Sequence, residues 1–319
     1  MSVPIFTVKK AGLFTTIQDS GRRGYQSLGI PVAGVMDTFS HRISNIIVGN
    51  GLNAAVLEVT LVGPHLYVEN DVIASICGAD LSPKINGSSV PMWTSLHLKR
   101  GDLLTFGKNV SGTRAYISVA GEFALPFVFG SQSTETKTKL GGYFGRPLQK
   151  GDTLFRKRAP SPRFFKRRML KREDIPTYSQ KMTVRLILGP HLDFFTNDSI
   201  QTLLTESYTV SFRSDRMGYR LEGPNIQLKK NKDLRSEATT FGSIQVPASG
   251  QPIILMADRQ TTGGYPIIGT VISVDIPKLA QARPGSEITF KQTTVEEAQA
   301  QFRKRETWFY LLEKLYKAE

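Results

Sequence analysis

Cysteine is nearly absent. The 319-residue chain holds one, Cys77, which excludes an intrachain disulfide and any cysteine-built metal cage. Its run Val72-Ile73-Ala74-Ser75-Ile76-Cys77-Gly78 predicts a buried strand, where a free thiol acts as a small apolar group rather than a nucleophile. The four histidines, His41, His65, His97 and His191, lack the paired spacing of a metal centre, so no metal ligand set is expected. No apolar run reaches the roughly 18 residues that cross a bilayer. The first ten residues carry their lysines after their apolar side chains, unlike a secretory leader, and a cytoplasmic location is expected by default. Catalytic signatures are missing too. Without a G-x-x-x-x-G-K-[ST] loop, ATP, if used, is not cradled by that device, and there is no G-x-S-x-G elbow. Gln18-Asp19-Ser20-Gly21 has the outline of a protease nucleophile loop, but no histidine is placed by the sequence to activate Ser20.

What the chain has in excess is positive charge, +14 formally. Nine basic residues and no acid lie between Arg156 and Arg172, so most of the excess is local. With Pro160 and Pro162 inside it, the segment 156–178 reads as an exposed linker between two halves. The alternative is a docking surface for an anionic partner. Nucleic acid is not expected there, because Phe164 and Phe165 alone offer a stacking platform.

The pattern along the chain is mainly β. Apolar runs at 184–188, 208–212, 253–256 and 271–276 are short and bounded by Gly, Pro, Asn or Asp. Three turns share one form: Lys99-Arg100-Gly101-Asp102, Gln149-Lys150-Gly151-Asp152 and Arg283-Pro284-Gly285-Ser286, each before a strand. Helices are few. Residues 37–48 read as one, capped by Asp37 and stopped by Gly49, 197–206 as a second, and the capping box Thr294-Val295-Glu296-Glu297 opens a C-terminal helix. Its apolar face is expected to pack on the last domain, with Trp308, Leu311 and Leu315 widening that face. Two echoes hint at duplication: Arg22-Arg23-Gly24-Tyr25 against Arg216-Met217-Gly218-Tyr219, and Gly63-Pro64-His65-Leu66 against Gly189-Pro190-His191-Leu192. Their order differs between the halves.

Polar recognition chemistry concentrates in Ala257-Asp258-Arg259-Gln260-Thr261-Thr262-Gly263-Gly264-Tyr265-Pro266, where an apolar strand ends in an acid, a guanidinium, a carboxamide and two hydroxyls. Asp258 is the better candidate base, since burial and Arg259 would act on its pKa in opposite directions. Gln260 and Thr261 would orient an amide or carboxylate, and the amides of Gly263 and Gly264 would form an oxyanion-binding turn. The bland alternative is a hairpin with an internal Asp258–Arg259 ion pair. A second cluster, Thr15 to Tyr25 followed by Gly29 to Asp37, suggests a composite site. There too the simple alternatives stand: Asp37 as a helix cap, Arg216 as a surface partner of Asp215, Tyr25 and Tyr219 as packing residues.

Eight ordered motifs carry a resemblance. They are Gln18-Asp19-x-Gly21-Arg22-x-Gly24-Tyr25, Met36-Asp37-x-x-Ser40, Val48-Gly49-Asn50, Leu57-Glu58-x-Thr60-x-x-Gly63-Pro64, Gly130-Ser131-x-Ser133-Thr134, Gly141-Gly142-x-x-Gly145-Arg146-x-Leu148-x-x-Gly151-Asp152, Asp215-Arg216-Met217-Gly218-Tyr219-Arg220-Leu221-x-Gly223 and the Asp258 to Pro266 stretch. Over about residues 5–292 the chain resembles the biotin-dependent carboxyltransferase family, also called allophanate hydrolase subunit 2, which includes the C subunit of 5-oxoprolinase and the Kip inhibitor antagonist. One departure is Ser236-Glu237-Ala238, where relatives carry Ser-Glu-Gly, which removes left-handed freedom at position 238.

The resemblance implies a mainly β chain of two cyclophilin-like β-barrel lobes, a few short helices and a C-terminal helix. With the linker above, the expected boundaries are 1–155, 156–178, 179–292 and 293–319. It implies a subunit of an ATP-dependent 5-oxoprolinase, opening the 5-oxo-L-proline lactam to L-glutamate. Its partners would be a small cyclophilin-like subunit and a third subunit, with ATP shared with or held by one of them. Alternatives within the family are a regulatory antagonist of a kinase-inhibitor protein and the carboxyltransferase component of a urea-type carboxylase. Biotin is not expected, since the chain has no carrier segment. The resemblance assigns no individual roles, so the candidates are taken from the motifs: Asp258, Gln260 and Arg216 for catalysis, and Asp37, Tyr25, Tyr219, Gln245, Thr261, Gly263, Gly264 and Tyr265 for substrate binding.

Overall fold

The computed structural model describes residues 2–157, 167–229 and 234–318. Part of the predicted linker, 158–166, lies outside them. Two compact units are present, one of Met1–Arg22, Ala33–Tyr178 and Trp308–Glu319, the other of Arg23–Val32 and Ser179–Thr307.

In the first unit the strands are β1 (Val3–Lys10), β2 (Phe14–Gln18), β3 (Val56–Thr60), β4 (His65–Val68), β5 (Val72–Asp80), β6 (Pro83–Ile85), β7 (Ser88–Ser89), β8 (Ser95–Leu98), β9 (Leu103–Phe106), β10 (Ser111–Val119) and β11 (Thr153–Arg156). They form two open sheets, in the orders β11-β1-β4-β9-β6-β7 and β2-β3-β10-β5-β8. Ile5, Val8, Leu57, Val59, Ile76 and Ile117 belong to the apolar core of this unit. Helix α1 (Thr38–Val48) buries Ile43, Ile46 and Ile47 in a second cluster with Cys77 and Trp93. Cys77 is fully buried, and burial pushes its thiol pKa well up, so the thiol is inert as expected.

The barrel is closed in the second unit. Its strands are β12 (Lys181–Leu188), β13 (Ser207–Val210), β14 (Gly218–Glu222), β16 (Ser243–Gln245), β17 (Ile253–Leu255), β19 (Ile267–Val271) and β20 (Glu287–Gln292), ordered β12-β19-β16-β17-β14-β13-β20. Closure is a parallel pairing of β12 with β20, Lys181 against Glu287 through Leu186 against Gln292. Alternate residues such as Val184, Leu186, Ile288 and Phe290 are buried, the period of two that lets one strand face fill the core. A separate two-stranded ribbon pairs β15 (Glu237–Ala238) with β18 (Thr262–Gly263). The short helices are α2 (Asn197–Thr205) and α3 (Ile276–Ala280).

Local chemistry explains the recurring turns. Gly101, Gly151 and Gly285 have φ of 92°, 96° and 85°, angles that cost glycine little and other residues more. Each donates its amide back to a neighbouring strand, to the carbonyls of Val68, Val8 and Val210 respectively. The C-terminal helix α4 (Val295–Ala318) opens with Glu297 N donating to Thr294 Oγ1 at 3.2 Å and Thr294 N donating to Glu297 Oε2 at 3.4 Å.

Three expectations change. Phe309 and Tyr316 of α4 join the α1 cluster of the first unit instead of packing only on the last domain. Burial of a ring such as Phe309 contributes about 1.5–3 kcal/mol. In the described part of the basic segment, Leu170 is buried in that cluster and Ser95 N donates to Arg168 O at 2.8 Å, so this stretch is packed. The sequence echoes do not mark equivalent structure: His65 opens a strand while His191 precedes a 3-10 turn, and Tyr219 lies in β14 while Tyr25 precedes another 3-10 turn.

Candidate functional site

The apolar run of β17 continues through buried Met256 and Ala257 to Asp258. Beyond the strand ends, Met256 N donates to Met217 O and Asp258 N to Arg216 O, at 2.9 and 2.8 Å. This extended pairing sets Arg216 beside Asp258, and the guanidinium bonds both carboxylate oxygens: Nε to Oδ2 at 2.8 Å and Nη2 to Oδ1 at 2.9 Å. Both side chains are buried. With both oxygens held, Asp258 is better suited to fixing the end of β17 than to taking a proton. The simple alternatives are replaced as well. Asp215 accepts the amides of Met217 and Gly218, and the acid next in sequence to Arg259 is already taken by Arg216.

Arg259 is 7% exposed, and its Nε has no hydrogen-bond acceptor among the described residues. Among the described residues its contacts are a long bond from Nη1 to Met256 O at 3.5 Å and the Phe241 ring, whose centroid is 5.8 Å from the guanidinium carbon. Burial, followed by repulsion from exposed Arg23, lowers its pKa to about 10. It therefore remains a cation at neutral pH in surroundings that disfavour one. Arg23 belongs to residues 23–32, which cluster with the second unit despite their position near the N-terminus.

Next to it sits a carboxamide cluster. Gln260 Nε2 donates to Gln245 Oε1 at 3.4 Å, while the Nε2 of Gln245, a buried residue of β16, has no partner among the described residues. Thr239 bonds the carbonyl of Gln260 through its hydroxyl, and its amide donates to Thr261 O at 3.0 Å. The paired glycines do different work from that expected. Neither has the positive φ of an anion-binding nest, and Gly263 is an extended residue opposite Glu237. A Cβ there would lie 2.6 Å from Gln245 Nε2, and one at Gly264 3.2 Å from Leu234 O. Gly263 thus makes room for the Gln245 amide. Ala238, where relatives carry glycine, is in strand β15 and has no positive φ, so the substitution removes no needed conformation.

The remaining candidates are spread out. Tyr219 is buried in β14 opposite Ile254, a packing position. Tyr265 is half exposed after β18, and Tyr25 precedes the 3-10 turn Gln26–Leu28. Asp37 belongs to the first unit, where it caps α1: its carboxylate accepts Ser40 N at 3.0 Å and Ser40 Oγ at 2.6 Å. Ser40 Oγ is 3.3 Å from Tyr178 OH, which lines a cavity of about 470 Å³ with Asp80, Met92 and Trp93. The residue that sequence reasoning missed is Arg259. Its place in the motif was visible, but only the cross-strand pairing reveals which arginine lacks an acid among the described residues.

The chain belongs to the family described as "Carboxyltransferase domain, subdomain A and B", which matches residues 28–292. It is 37% identical over 291 residues to the C subunit of 5-oxoprolinase from Escherichia coli (strain K12), covering 91% of each chain. To the C subunit of 5-oxoprolinase from Haemophilus influenzae it is 36% identical over 294 residues, 92% of this chain and 93% of that one. Among solved structures it resembles the urea amidolyase of K. lactis, with a TM-score of 0.91 and 28% identity over 97% of this chain. The chain spans only 20% of that enzyme.

Proposed function

We propose that this chain works as the C subunit of an ATP-dependent 5-oxoprolinase, which opens the lactam of 5-oxo-L-proline to L-glutamate. The observation that carries this reading is the near end-to-end match, in both directions, to two subunits of that name. The partners would be a small cyclophilin-like subunit and a third subunit, in the cytoplasm. ATP is shared with or held by a partner, since the sequence has no phosphate loop. Both units are read as cyclophilin-like lobes.

A lactam carbon is a poor electrophile. Activation of its oxygen by phosphoryl transfer from ATP makes it open to water, and the protein's task is to hold the ring and meet developing charge. Gln260 and Thr261 are suited to orienting the amide. Asp258 and Arg216 act as positioning residues for the loop that carries them. The test is reconstitution: the chain alone should show negligible turnover, and mixing with its partner subunits should produce 5-oxoproline-dependent ATP hydrolysis. Robust turnover by the isolated chain would overturn the multi-subunit reading. A second reading, the carboxyltransferase part of a urea-type carboxylase, is favoured by the fold similarity to urea amidolyase. It predicts carboxyl transfer between biotin and urea and no response to 5-oxoproline.

A further inference from the structure

Several buried charges among the described residues have partners. Arg216 has Asp258, Arg185 has Asp275, and Arg22 donates to the carbonyls of Val128 and Ser133. Arg156 has Asp71 within electrostatic range. Arg259 differs in its charged neighbour: among the described residues, the charged group that acts on it is another cation, Arg23, and its buried Nε, like those of Arg114, Arg156, Arg168 and Arg305, has no acceptor there. A second buried donor, Gln245 Nε2, is also unused. The chain links the two donors: Gln260, the residue after Arg259, donates to Gln245 Oε1 at 3.4 Å. A buried donor without an acceptor destabilises the fold, and an uncompensated buried cation does so more strongly. A fold that keeps both is built for an acceptor that arrives with a ligand.

From this geometry we infer that Arg259 and Gln245 form the recognition site for a carboxylate monoanion. A guanidinium edge matches the two oxygens of a planar carboxylate, and the carboxamide N–H supplies a further donor. Exposed Arg23 adds long-range attraction for an anion. The identity of the ligand rests on the 5-oxoprolinase reading: the carboxylate is then that of 5-oxo-L-proline, and its capture anchors the ring.

The test uses the full chain and, separately, the reconstituted complex. At constant ionic strength, 5-oxo-L-proline and acetate should raise the thermal midpoint of the wild-type chain, while 2-pyrrolidinone and acetamide, which lack the carboxylate, should not. Arg259→Met should remove the carboxylate-dependent shift and at the same time raise the midpoint without ligand, since it deletes a buried unpaired charge. A merely structural arginine would do the reverse. Gln245→Leu should weaken the shift, and Arg259→Lys should retain only part of it. In the complex, Arg259→Met should raise the KM for 5-oxoproline by about 100-fold or more, the scale of losing one side of a buried charge pair. If the complex does not turn over 5-oxoproline but acetate still stabilises the chain through Arg259, the carboxylate site stands and the enzymatic reading fails. Unchanged shifts or KM in Arg259→Met, no carboxylate response in the wild type, or stabilisation by phosphate alone would each overturn the inference.

Discussion

Replacing Asp258 with Asn separates a scaffold from a catalytic role. The change keeps the size of the side chain but removes the charge that both Nε and Nη2 of Arg216 meet at 2.8 and 2.9 Å. Arg216 would then be a buried cation facing an amide. Breaking a buried pair from one side costs about 3–5 kcal/mol. At about 2–4 °C per kcal/mol for a unit of this size, a 3 kcal/mol loss lowers the thermal midpoint by about 6–12 °C. Removing both charges with Arg216→Met and Asp258→Leu should recover most of it, since apolar replacement of a buried pair is often near neutral. The assay is thermal and urea unfolding of the wild type, both single variants and the double variant, with turnover of the reconstituted complex measured at a temperature where every variant is folded. A midpoint within about 1 °C of wild type, combined with a loss of 10² or more in kcat, would refute the scaffold argument and make Asp258 a general base.

Other expectations follow from single contacts. His41 is buried, and burial lowers its pKa to about 4 against an ordinary 6.5. The unfolded chain therefore takes up the proton at higher pH than the folded one. Stability from this source is full above about pH 6.5 and falls by about 3 kcal/mol as pH drops to 4; urea midpoints across that window should flatten in His41→Gln. Gly263→Ala places a Cβ 2.6 Å from Gln245 Nε2, so it should displace the amide and weaken the carboxylate-induced midpoint shift with little change in the ligand-free midpoint. Asp37→Ala loses the bonds to Ser40 N and Oγ and should cost about 1–2 kcal/mol in urea unfolding, leaving the carboxylate response intact.

Elements fixed by contacts near in sequence were legible; those fixed across the chain were not. The start and stop of α1 follow from Asp37 and Gly49, the opening of α4 from Thr294 and Glu297, and the three glycine turns from residues within four positions of one another. Closure of the barrel is different in kind. It rests on parallel pairing of β12 with β20, strands separated by most of the second unit, and no local signal specifies that register. The echoes misled for a related reason: Gly-Pro-His-Leu is compatible with a strand start at His65 and with a 3-10 turn at His191, and the surroundings decide.

The site shows the same division sharply. Composition announced that charge and carboxamides gather after β17, but adjacency in sequence suggested Asp258 with Arg259. The chain turns at Ala257 and Asp258, with Arg259 N donating to Met256 O at 3.3 Å, and the partner of Asp258 comes from the paired segment, where Arg216 takes it. That one exchange converts the motif. An internal ion pair would have left a neutral, self-satisfied loop, whereas pairing across the strands leaves Arg259 buried against Phe241 with Arg23 acting on it. Two other buried acids are well partnered. Asp19 accepts from Ser131, Ser133, Gln132 and Gly21, and although burial opposes it, the Arg185 bonds hold the Asp275 carboxyl below the usual range. Against that background, two buried donors with no acceptor among the described residues, on Arg259 and Gln245, place the demand for a ligand there, and not at the acid that follows β17.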